Sequence, residues 1–305
     1  MLAILRRMPF FMRRAQVSAF IPFLAVLGAV TALGLGTSWA KHALFPAIGA
    51  QGTTALRVGL SALLLLLIWR PWRRALQPGD WRFVGLYGAT LGLMNLSFYM
   101  ALRTIPFGLA VAIEFAGPLT VAVLSSRRAL DFVWVALAAV GLSLLLPWGL
   151  GDSALDPVGV LWALAAAACW GLYIVFGKRL GHLHAGHSVA LGLSVAALVV
   201  LPVGVWHAGT ALLSPGVLLV GLGVAAISSA IPISLEMVAL KRLPKQAFGI
   251  MISMEPAVAA LLALVLLGER LSVTQWLAIG LVMGASVGCS ASARRRPTAA
   301  GSLVA

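Results

Sequence analysis

Charge is scarce in this sequence: only 10% of its 305 residues are Asp, Glu, Lys or Arg, where a soluble domain carries roughly 25%. Acidic side chains number only 8. No G-x-x-x-x-G-K-[ST] phosphate loop occurs, so the chain carries no recognisable ATP motor. The two cysteines, Cys169 and Cys289, fall inside apolar runs, where a thiol behaves as a small apolar residue; neither a disulfide nor a metal site is expected. None of the five histidines lies inside an apolar run. GASVG at 284 to 288 fits G-x-S-x-G, yet no strand precedes it and no histidine is placed to act as its base. An intramembrane enzyme is therefore disfavoured, and no cofactor is implied.

What the sequence has is apolar length. Sixty-one per cent of it is apolar, in runs of about 20 residues, the length that crosses a ~30 Å hydrocarbon core. Ten runs are read, at 20 to 40, 52 to 69, 83 to 102, 106 to 125, 131 to 149, 158 to 177, 188 to 206, 217 to 240, 245 to 267 and 272 to 291. In lipid a lone segment satisfies its backbone only as a helix, so the predicted class is all-α, integral membrane, with ten transmembrane helices.

A net charge of +14 would suggest nucleic acid in a soluble protein, but here position matters more than the sum. With ten spans, 18 of the 22 Lys and Arg fall on one side: Arg6, Arg7, Arg13, Arg14, Arg70, Arg73, Arg74, Arg82, Arg127, Arg128, Lys178, Arg179, Lys241, Arg242, Lys245, Arg294, Arg295 and Arg296. The other side holds Lys41, Arg103 and Arg270, and Arg57 lies within the second run. The positive-inside rule then puts both termini in the cytoplasm and gives no role to nucleic acid. Residues 20 to 40 are too long for a signal peptide and lack a small-x-small cleavage pattern, so they are expected to stay as the first span.

The chain repeats itself. MALRTIP at 100 to 106 matches VALKRLP at 238 to 244, a shift of 138 positions that also carries Pro118 onto Pro256. DFVWVALAAVG at 131 to 141 resembles SVTQWLAIGLV at 272 to 282, and TSWAK at 37 to 41 lies against ACWGL at 168 to 172. The organisation predicted is a basic cytoplasmic segment at 1 to 19, five-helix repeats at 20 to 149 and 158 to 291, and a basic tail at 292 to 305. Five is odd, so the second copy enters the membrane from the opposite side, an inverted pair whose site is expected near the midplane. The link around Gly151, Asp152 and Asp156 then lies outside.

At these residues the chain resembles the drug/metabolite transporter superfamily, each half looking like one five-helix EamA unit. MNLSFYMALRTIPFGLAVAIEFAGPL (94 to 119), SSRRALDFVWV (125 to 135) and SLEMVALKRLPKQAFGIMISMEPAVAA (234 to 260) resemble the small-amino-acid exporters of that superfamily. The resemblance implies export of threonine and homoserine, driven by an ion gradient, across a bacterial cytoplasmic membrane. The alternatives are a passive channel or facilitator, or an exporter of another metabolite.

Ionisable groups inside a membrane cost about 2.5 to 3.5 kcal/mol on insertion scales, so each is a functional candidate. Glu114 lies eight residues into the fourth run, roughly 12 Å deep, and Glu255 ten residues into the ninth, roughly 15 Å deep. Both are expected near the midplane, as groups for the substrate and the coupling proton. Pro118 and Pro256 each deny a donor to the carbonyl four residues earlier, those of Glu114 and Ile252, so both halves carry a helix break at matched places. Glu236, about 6 Å from the inner end of the eighth run, reads equally as an interfacial anchor or a site. Arg57, five residues into the second run, either snorkels to outer water or turns inward to a substrate carboxylate. Trp39, Trp170, Asn95, Tyr99 and Tyr173 are further cavity candidates, against the simpler reading that aromatics on helices pack. His182, His184 and His187 are read as a solvated loop without nearby carboxylate, not a metal site. Gly280, Gly284 and Gly288 give a smooth face for close helix packing or a homodimer contact, leaving monomer and homodimer both open.

Overall fold

A computed structural model describes residues 10–73, 76–77, 79–124, 129–144, 155–240 and 251–292. Gly151 and Asp152 of the central link, the 241 to 244 part of the repeat match and the tail beyond 292 lie outside the described residues, as do the side chains of Arg13, Arg14 and Cys289. Every regular element among the described residues is helical. The helices are α1 (Phe10–Ala43), α2 (Phe45–Trp69), α3 (Asp80–Ala101), α4 (Phe107–Glu114), α5 (Ala116–Leu124), α6 (Ala129–Ser143), α7 (Pro157–Arg179), α8 (Ala185–Ala208), α9 (Pro215–Ala225), α10 (Ile231–Leu240), α11 (Glu255–Leu266) and α12 (Val273–Ser292). A π turn, Ala226–Ala230, joins α9 to α10.

Six of the expected runs become helices long and apolar enough to cross a membrane: Ile21–Ala43, Phe45–Arg73, Asp80–Ala101, Pro157–Arg179, Gly186–Leu213 and Pro215–Glu236. The other four give shorter apolar helices, Phe107–Val121, Phe132–Ser143, Glu255–Leu266 and Val273–Gly288. Two of these short helices are those that the prolines interrupt. α4 ends at Glu114 and α5 begins at Ala116, while a turn at Ser253 and Met254 precedes α11. Leu24, Leu67, Phe132, Leu198, Leu219 and Val265 are all exposed, a surface suited to lipid and not to water.

The second span begins earlier than the sequence suggested, at Phe45 in place of residue 52. Pro46 stands in its first turn, where a missing N–H costs nothing. Gly49 then kinks the helix with φ 66° and ψ −179°, a conformation essentially confined to glycine.

Packing follows a regular scheme. α2 lies along α8, α6 along α12, and α4 crosses α11; α3 and α5 pack on α7, while α1 packs on α10. Helices in lipid gain little from apolar burial against one another and rely on close contact. Gly36 shows how close: a Cβ there would stand 2.7 Å from the Cβ of Ser228 in the π turn. Of the glycine face on α12, Gly288 packs on Trp134 and Gly284 meets Leu137, whereas a Cβ on Gly280 would find open space. Two of the three therefore serve the contact with α6.

Candidate transport cavity

Every residue of α4 from Phe107 to Glu114 is buried, so its C-terminal end delivers Glu114 to the interior with only 7% exposure. There it lines a cavity of about 320 Å³, at the small end of the roughly 300–1,000 Å³ range of ligand sites. Seven spans contribute to its wall. Arg57, Asn95, Glu114, Trp170, Tyr173, Glu236 and Glu255 all line it, and so does Ile252, the residue whose carbonyl Pro256 leaves without its helical donor. The three carboxyls of Glu114, Glu236 and Glu255 thus share one cavity wall.

Arg57 turns inward and is 9% exposed. Its depth explains why snorkelling fails: counted from Phe45 it lies twelve residues into the span, roughly 18 Å of helix. Nε donates to Ser228 Oγ at 2.8 Å, Nη1 to Asn95 Oδ1 at 2.6 Å, and Nη2 stands 3.5 Å from the Ser228 carbonyl. The guanidinium carbon lies 5.4 Å from the centre of the Tyr99 ring. Three neutral groups and a ring face therefore hold the cation. One turn further along α2, Ser61 donates to Ser229 at 2.9 Å.

Two candidates fall outside the cavity wall. Tyr99 is fully buried beneath Arg57, a support and not a lining residue. Trp39 is 38% exposed with its indole against Gly223, because its position on α1 faces α9 and the periphery. Its repeat partner Trp170 does line the cavity, edge-on to Phe115 at 5.2 Å between ring centres. The histidine loop also needs correcting: a carboxylate is close, since folding brings Asp80 to 3.1 Å from His182. His184 caps α8 by accepting from the Gly186 N–H at 3.2 Å. Cys169 is a free thiol on α7.

Ser228 was missed in the sequence, although Pro232 marks it by the rule that marked Glu114 and Ile252. Phe98 and Phe107 were missed too. They line the cavity and meet edge to face at 6.3 Å. Beyond them the Glu269 carboxylate accepts from Lys41 Nζ at 2.6 Å and from the Phe107 N–H at 2.7 Å, tying the end of α1 and the start of α4 to the loop after α11.

Interrupted helices around a cavity lined by charged, polar and apolar side chains, in a bundle with lipid-suited walls, fit a multi-pass membrane transporter. Residues 157–291 match the model of the EamA-like transporter family. The chain is 45% identical over 288 residues to the threonine/homoserine exporter RhtA of Escherichia coli (strain K12), covering 94% of this chain and 97% of that protein. It is also 45% identical over 282 residues to RhtA of Salmonella typhimurium (strain SL1344), covering 92% and 95%. An uncharacterized transporter of Bacillus subtilis (strain 168), YwfM, is 29% identical over 88% of this chain and 94% of its own length. A solved crystal structure matches with a TM-score of 0.54 at 23% identity, over 92% of this chain and 98% of the other, a likeness of fold alone. This chain belongs to the EamA-like transporter family.

Proposed function

We propose that this protein exports small zwitterionic amino acids, threonine and homoserine first, across the bacterial cytoplasmic membrane in exchange for protons. One observation carries the reading: a single small cavity holds one guanidinium and three carboxyls, the complement of an ammonium and a carboxylate on one molecule. Arg57 takes the substrate carboxylate. Glu114 and Glu255 meet the ammonium, and they also bind and release the coupling proton, so that substrate and proton compete for them. A proton moving down the membrane potential supplies about 2.3 kcal/mol per 100 mV, enough for a roughly fiftyfold gradient of a neutral solute.

The architecture proposed is a pair of inverted five-span repeats with both termini cytoplasmic. The helix packing supports it. An inverted pair maps spans one to five onto six to ten, and α2 on α8, α4 on α11 and α6 on α12 are then each a span against its own repeat mate. The contact of α3 with α7 becomes the mate of that between α10 and α1. The 138-residue shift and the charge asymmetry point the same way.

Intracellular threonine and homoserine, measured in cells fed a threonine-containing dipeptide with and without the protein, test the substrate. Lower pools with the protein are expected, and unchanged pools with the protein verified in the membrane refute the assignment. Uptake into everted vesicles tests coupling: a proton exchanger responds to an imposed pH gradient, whereas a facilitator only equilibrates.

A further inference from the structure

We infer that the π turn at Ala226–Ala230, closed off by Pro232, is the device that positions Arg57 for the substrate carboxylate, which makes Ser228 and Pro232 positioning residues for transport. The inference rests on the reading that Arg57 receives that carboxylate.

In an uninterrupted helix the Ser228 carbonyl would accept from the N–H of residue 232, but proline has none to give. The turn before it is already widened, with Ile231 N–H bonded to the Ala226 carbonyl, five residues back. The carbonyl of Ser228 is thus released from the helix, and Arg57 Nη2 lies beside it. The hydroxyl of the same serine donates to the Val224 carbonyl at 2.7 Å, so its proton is committed and its lone pairs face Arg57 Nε. Asn95 is oriented the same way: its Nδ2 donates to the Leu91 carbonyl at 2.9 Å, leaving Oδ1 for Nη1.

The guanidinium has five N–H donors. These contacts engage three, and one on each terminal nitrogen is left without an acceptor among the described residues. An N–H left on each terminal nitrogen is what a carboxylate needs to bind a guanidinium by two bonds. All three acceptors are neutral, so none of them forms an ion pair with the guanidinium. The turn itself is fixed from two sides. Ser61, four residues after Arg57 and so on its face of α2, bonds to Ser229. On the other side Gly36 lets α1 rest directly against Ser228. A π turn of this kind departs from regular helix at a functional position.

The test uses the full-length protein in proteoliposomes, with threonine transport competed by threonine or by threoninamide, which lacks the carboxylate. Wild type is expected to prefer threonine at least tenfold. Pro232→Ala restores the missing donor, and Ser228→Ala removes one acceptor. Each is expected to raise the KM for threonine about tenfold, keep maximal rate within twofold, and shrink the preference over threoninamide. Ser228→Thr keeps the hydroxyl and is expected to restore both values. Arg57→Gln separates the two levels of the argument. If it abolishes the preference while Pro232→Ala and Ser228→Ala leave it intact, the positioning role is overturned and the Arg57 reading stands. If Arg57→Gln, shown to be folded and inserted, leaves the preference intact, the reading of Arg57 falls and this inference with it. Loss of rate with an unchanged preference in the Pro232 and Ser228 variants means a purely structural role and also overturns the proposal.

Discussion

At the scale of single residues, a glutamine in place of a cavity glutamate keeps size and hydrogen bonding but cannot exchange a proton. Glu114→Gln and Glu255→Gln are therefore expected to insert normally and to lose at least tenfold of pH-gradient-driven accumulation in everted vesicles. Wild-type pH dependence in both would make these carboxyls structural. Outside the membrane, Asp156 caps α7 by accepting from the Gly159 N–H at 3.0 Å. A hydrogen bond from Thr104, then the Gly159 and Val158 backbone N–H groups, hold its carboxyl below the ordinary aspartate range. A lowered value stabilises the fold above the unfolded aspartate range, and that contribution disappears as pH falls through the folded one. Asp156→Ala is thus expected to melt below wild type at neutral pH, with the gap closing in acid, as thermal scans of detergent-solubilised protein at two pH values will read.

At the scale of elements, the kink in α2 decides where Arg57 sits. Gly49→Ala forces a side chain into a backbone conformation reserved for glycine, at roughly 1–3 kcal/mol, and sets its Cβ 2.7 Å from His207 Nε2. A lower melting temperature together with weaker threonine transport is expected, and a neutral result would show that the kink can relax. The same element shows the limit of reading elements from sequence. Hydropathy anticipated six helices long enough to cross a membrane and four shorter apolar ones, because lipid demands long apolar helices and little else of that composition can form. It started the second run at residue 52, since Pro46, Gly49 and Gln51 read as a loop, and so placed Arg57 near water. Glu114 and Glu255 were legible because a lone carboxyl in an apolar run has few other reasons to exist. Ser228 was not legible on composition, for serine is ordinary in membrane helices, but it follows from the proline four residues on. Trp39 misled because a repeat pairs positions and not exposures: Trp170 meets the cavity and Trp39 faces the periphery.

At the scale of the whole molecule, the charge asymmetry predicts that a phosphatase fused at Asp152 is active and that fluorescent-protein fusions at both termini are bright in the cytoplasm. An inactive fusion at Asp152 would sink the ten-span inverted arrangement. In the proposed inverted arrangement the halves tilt against each other once per cycle, and Glu269 of the second half holds Lys41 and the Phe107 N–H of the first. Its ion pair with Lys41 is part-buried, with side-chain exposures of 23% and 15%, and its other oxygen holds the α4 backbone. A charge-assisted hydrogen bond is worth about 1.5–3 kcal/mol and an exposed ion pair about 0.2–1 kcal/mol. Opening that end breaks both contacts, so they bias the proposed carrier toward closure there. Under the proposed export function, an empty carrier then favours the state closed to the surroundings, and amino acid already expelled meets fewer molecules ready to take it back. Glu269→Gln weakens the tie without removing it. The expected outcome is faster inward leak of external threonine with the outward rate little changed, so that the variant still transports but no longer rectifies.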